Sequence, residues 1–134
     1  MGKAAQKKDL TLAQQLFSYV GATVIIEEKY MDAITAASGS GPAYVFLFIE
    51  SLNKAVRSLG FNEHLSKVLV LQTIRGSFDL LIRQKEDAAV LRARVTSKGG
   101  TTQAAMDIFK KMKFEKVFKT ALNAAKKRAK ELSK

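Results

Sequence analysis

Ser38-Gly39-Ser40-Gly41-Pro42-Ala43-Tyr44-Val45-Phe46-Leu47-Phe48-Ile49 is the stretch on which the fold turns. Its small residues interrupt one helix, and Pro42 fits the first position of the next, where a missing N–H costs nothing. From Ala43 to Ile49 the helix is apolar on every face, which in a water-soluble domain means cover on every side. A chain of 134 residues rarely encloses a helix by itself. A second subunit is therefore expected to help cover it.

Downstream, the patterns stay helical. The Pro42 helix should run to about Leu59 and stop at Gly60, and Asn62 can cap the next one, whose long face carries Leu65, Val68, Leu69, Ile74, Phe78, Leu81 and Ile82. Further helices are expected from Glu86 to about Val95, from Thr101 to Met112 and from Phe114 to Leu132. Upstream, residues 28–37 read as a short helix. Thr23-Val24-Ile25-Ile26 is short and β-branched, the one convincing strand. Asp9 could cap a helix reaching Val20, with Gly21 as the left-handed residue that ends it. A single strand makes no sheet. It pairs with another molecule, or it is the last strand of a further domain.

Composition narrows the chemistry. There is no cysteine and a single histidine, His64, so disulfides, thiolate metal sites, a cysteine nucleophile and most Ser-His-Asp arrangements within one chain are excluded. Glu50 ends the longest apolar run well short of a membrane span, and the lysine-rich N-terminus has no signal-peptide core. A soluble, cytoplasmic protein without a membrane partner is expected. The net charge of +11 is concentrated: residues 110–134 hold ten Lys and Arg against two acidic residues, a balance of +8. Phe114, Val117, Phe118, Ala121, Leu122, Ala125, Ala129 and Leu132 form the apolar stripe of that terminal helix, and Lys116, Lys119, Lys126, Lys127 and Lys130 fall mostly off it. These lysines read as a solvated face rather than a phosphate-binding one, because no base-reading pattern accompanies them. Nucleic acid is not an expected partner.

Two loops lead into helix N-termini, where free backbone N–H groups and the positive dipole end favour a carboxylate or phosphate: Ser38–Pro42 and Thr96-Ser97-Lys98-Gly99-Gly100-Thr101-Thr102. Plain helix capping would explain both equally. Neither has the spacing of a nucleotide-binding P-loop, and no GxGxxG follows a strand.

Together the loops carry a resemblance. The run Met31-Asp32-Ala33-Ile34-Thr35-Ala36-Ala37-Ser38-Gly39-Ser40-Gly41-Pro42-Ala43-Tyr44, followed about fifty residues later by Val95-Thr96-Ser97-Lys98-Gly99-Gly100-Thr101-Thr102, closely resembles the C-terminal half of Δ1-pyrroline-5-carboxylate reductase. Leu16-Phe17-Ser18 with Gly21 ahead of these motifs, and the basic Ala-rich helix behind them, extend the match from about residue 6 to 132. The resemblance implies an all-α, interlocked helical dimerisation domain over residues 28–134. Residues 1–27 would then be the end of a Rossmann domain, its last helix and strand. It also implies an oxidoreductase of proline biosynthesis that reduces the C=N bond of 1-pyrroline-5-carboxylate with NADPH or NADH. The partners implied are a twofold mate, often within a decamer, the small-molecule substrate and a Rossmann domain, possible on a separate chain. No tight cofactor binding, and no reduction, is expected of this chain alone.

Carried over by position, the substrate site would be Glu28 with Ser97, Gly99, Gly100, Thr101 and Thr102. Thr102 is the proton donor or orienter, and Arg94 meets the cofactor. No metal site is implied. The chain departs from the family at Lys98, where proline is usual, at Ala93, where an acidic residue is common, and at Met112-Lys113, where a glycine pair stands. A helical dimer that has lost its chemistry is the alternative reading; a basic nucleic-acid-binding protein is a weaker one.

Overall fold

The computed structural model describes residues 4–133, and it is all-α. The chain divides into two units between Met31 and Asp32.

The first unit holds α1, Lys7–Ser18. Asp9 is not its cap: the backbone N–H of Gln6 donates to Asp9 Oδ2 at 2.8 Å, so the carboxylate closes the first turn from within the helix. Nor does α1 reach Val20 or end on a left-handed Gly21. It closes through Tyr19 in right-handed geometry (φ −69°, ψ −20°), and Gly60 and Gly99 are the glycines with positive φ among the described residues. The strand expected at Thr23–Ile26 is absent; residues 22–27 form no regular element. β-Branched residues favour extended backbone, but a strand exists only when a second one accepts its hydrogen bonds. A shallow groove of about 450 Å³ runs between α1 and residues 20–25. A 3₁₀ turn, Glu28–Tyr30, ends the unit.

The second unit is the helical body. From α2, Met31–Ile34, the coil does not break at Ser38. It widens into a π turn, Thr35–Gly39, in which Ser40 N–H reaches Thr35 C=O at 2.9 Å. The Tyr44 hydroxyl donates to Ala36 C=O at 3.0 Å, giving a carbonyl in the widened turn a partner from the next helix. That helix, α3, is Gly41–Ser58 with Pro42 in its first turn. Gly60, at φ +100°, turns the chain into α4, Glu63–Gln84, where Asn62 Oδ1 accepts from Leu65 N at 2.9 Å, as its sequence position suggests. Short α5 (Ala88–Arg94), α6 (Thr101–Lys111) and α7 (Phe114–Leu132) follow.

α3 packs on α4 and on the π turn, which also seats α7, and α6 packs on α7. Phe114 joins α6 to α7 through rings 5.1 Å from both Phe109 and Phe118. The core this creates is small: Ala36, Ser66 and Val70 alone are buried among the described residues. Ser66 is satisfied at Asn62 C=O, 2.8 Å from its hydroxyl. By contrast Phe46 and Leu47, on the helix whose pattern demands cover all round, are 67% and 62% exposed.

Candidate functional site

The loop between α5 and α6 is a fixed shape. Gly100 N–H donates to Ser97 C=O at 3.0 Å, and Gly99, the third residue of the turn so formed, has φ +73°, as a type II turn requires. Gly100 is tightly flanked: a Cβ there would lie 2.4 Å from Ser97 Oγ and 3.2 Å from Ser97 C=O, so the Ser97 side chain would have to turn away. At its start the loop is pinned by Thr96 Oγ1, which donates to Arg92 C=O at 2.7 Å. At its end Gly100 is the N-cap of α6, and no side chain caps that helix. The first-turn N–H groups beside Thr101 and Thr102 thus remain available to an anion. Ser97 is exposed and Thr102 half-buried. Among the described residues the Thr102 hydroxyl makes no hydrogen bond within the chain, which leaves it free to act on a bound molecule.

Two of the departures read from sequence fall on backbone-determining positions. Lys98 occupies the second place of the turn, where proline is favoured. Lys113, between α6 and α7, is left-handed at φ 55°, the conformation a glycine adopts at no steric cost.

Glu28 and Arg94 are the remaining expected site residues. Glu28 opens the 3₁₀ turn of the first unit and is exposed; its neighbours Glu27 and Lys29 pair at 2.7 Å. Arg94, expected to meet a cofactor, is engaged by its own chain. Its guanidinium forks onto the Glu86 carboxylate, with Nη2 2.8 Å from Oε1, and so ties the segment before α5 to the helix end that carries the loop. Glu86 was legible only as a helix start, and it lies before α5, whose N-cap is Asp87, with Oδ1 accepting from Ala89 N at 2.8 Å.

Sequence reasoning also missed a groove of about 790 Å³ whose lining mixes Phe48, Met106, Phe109 and Phe114 with charged side chains such as Arg92 and Lys110, and includes Thr96 from the loop. Phe48 in the apolar run 43–49 and Phe114 on the terminal stripe were its only signals. Among the described residues no group of three or more His, Cys, Asp or Glu side chains could hold a metal ion, and no helix is long and apolar enough to cross a membrane.

An all-helical body that leaves an apolar helix uncovered defines the class as a helical dimerisation domain. The comparisons identify which. The family model for pyrroline-5-carboxylate reductase dimerisation matches residues 28–132, and the chain belongs to that family. It is 36% identical over 128 residues to pyrroline-5-carboxylate reductase 2 of Bacillus subtilis, covering 96% of this chain and 46% of the relative. With the Synechocystis pyrroline-5-carboxylate reductase identity is 39% over 132 residues, 98% of this chain and 49% of the relative. The crystal structure of the Plasmodium falciparum pyrroline carboxylate reductase with NADP bound superposes with a TM-score of 0.92 at 36% identity, over 99% of this chain and 51% of that one. The chain thus spans about half the length of the relatives it matches, and corresponds to their C-terminal part.

Proposed function

We propose that this chain is the dimerisation and substrate-loop half of a pyrroline-5-carboxylate reductase, acting in the cytoplasm to make L-proline in concert with a dinucleotide-binding domain, on the same polypeptide or another. The observation that carries the reading is the Ser97–Gly100 turn. Its glycine-dictated shape delivers the uncapped α6 N-terminus and the free Thr102 hydroxyl to one place, matched in sequence to the loop of the reductase family.

In this reading the first-turn N–H groups of α6 hold the carboxylate of 1-pyrroline-5-carboxylate. Thr102 hydrogen-bonds the ring nitrogen and orients it, relaying a proton from water as the C=N bond becomes CH–NH. Glu28 serves the nitrogen side of the substrate. The dinucleotide, NADPH or NADH, supplies the hydride. Arg94, whose guanidinium pairs with Glu86 while staying exposed, meets a phosphate of the dinucleotide in this reading.

A second copy completes the fold. Val45, Phe46, Leu47 and Phe48 of α3 are exposed, and a twofold mate would cover them. Assembly of such dimers into a decamer belongs to the same reading.

The test is complementation. The purified chain, a separately produced dinucleotide-binding domain of the family, NADPH and pyrroline-5-carboxylate are mixed, and loss of NADPH absorbance is followed. Turnover is expected in the full mixture and not with either protein alone, and Thr102→Val should lower it about 10²-fold. A folded, dimeric chain that gives no turnover in the full mixture supports instead a dimer that has kept the fold and lost the chemistry.

A further inference from the structure

Six of the ten basic residues of segment 110–134 lie on α7. Leu122, Ala125 and Ala129 are half-buried and mark the side of α7 that packs on the π turn and on α6. At about 100° per residue, Lys116, Lys119, Lys126, Lys127 and Lys130 fall in a single sector about 100° wide that none of those three shares. All five are exposed. Among the described residues none of the five forms an ion pair; the pair on this helix is Arg128 with Glu131, at 3.0 Å. Lys126 and Lys130, one turn apart, repel each other with no intervening acid. Asn123, a hydrogen-bond donor, lies in the middle of the sector.

Read from sequence alone these lysines are a solvated face. The structure adds that packing holds them on one side of a rod, over a length of about 21 Å, or about six base-pair rises. We propose that this face binds the phosphate backbone of duplex nucleic acid. Unneutralised lysines at fixed spacing release counterions from a regular array of phosphates, and they read no sequence, since no side chain here has a base-edge pattern. A membrane surface suits the face poorly. Helices that lie in a bilayer interface bury their apolar side in it; on α7 Leu122, Ala125 and Ala129 are instead turned into their own domain, although Val117, Phe118 and Leu132 remain exposed.

The experiment titrates a labelled duplex of about 20 base pairs with the full chain at about 50 and 200 mM salt; neutralising roughly four phosphates should weaken binding about 150-fold between them. Lys126→Glu/Lys130→Glu should abolish retention at the lower salt, and Lys126→Arg/Lys130→Arg should preserve it. Lys7→Glu/Lys8→Glu, which changes net charge equally on α1, should leave most of the binding intact. Circular dichroism checks that each variant folds, and Lys126→Gln/Lys127→Gln provides a milder test. No retention at the lower salt, an equal loss in the Lys7/Lys8 variant, or tighter binding to anionic vesicles than to the duplex would overturn the proposal.

Discussion

At Gly100 a Cβ would sit 2.4 Å from Ser97 Oγ and 3.2 Å from Ser97 C=O. Gly100→Ala must turn the Ser97 hydroxyl away and ease its carbonyl slightly, at a cost of about 1 kcal/mol. Its thermal midpoint should fall, and any turnover of the complemented enzyme should fall further. Lys113 presents the opposite case. It holds φ 55° without being glycine, a conformation that costs an L-residue about 1–2 kcal/mol. Lys113→Gly should recover part of that after the entropy of glycine is deducted, raising stability by about 0.5–1 kcal/mol in urea titration. The same logic applies at Lys98, in the second place of the turn: Lys98→Pro should raise the melting temperature, by about 0.4–1 kcal/mol of added stability. A drop would show that the loop needs the freedom lysine allows.

Among the elements, the π turn and α3 are joined by one hydrogen bond from the Tyr44 hydroxyl to Ala36 C=O. Tyr44→Phe leaves that carbonyl without its partner and should cost about 1 kcal/mol, measured by denaturation at fixed protein concentration so that mass action does not confound it. Helices α3 to α7 were legible because local rules decide them: Asn62 as a cap, Gly60 as a stop, and the stripe from Phe114 to Leu132. The π turn was not, because a partner eight residues downstream stabilises it. The Glu86–Arg94 fork escaped notice for a related reason, since its two residues are eight apart across a break between helices. Thr23–Ile26 failed as a strand because a strand depends on a neighbour, and local composition says nothing about whether one is present. Of the site, the glycines and hydroxyls were readable as a pattern. That Gly99 is left-handed and Gly100 is packed against Ser97 required the backbone.

For the whole molecule, the mismatch between sequence pattern and burial carries the account. A helix written to be covered on all sides, with Phe46 and Leu47 mostly exposed, is stable in water only when something apolar lies against it. Phe46→Asp/Leu47→Asp should place charges in that interface, dissociate the assembly and melt it at much lower temperature, because burial of unpaired carboxylates is costly. Sedimentation equilibrium on the unmodified chain tests the point most directly. The expected mass is about 29 kDa, two copies of a 14.7 kDa chain, or a higher multiple of that pair. A cooperatively folded species of 14.7 kDa that persists at high protein concentration would contradict it.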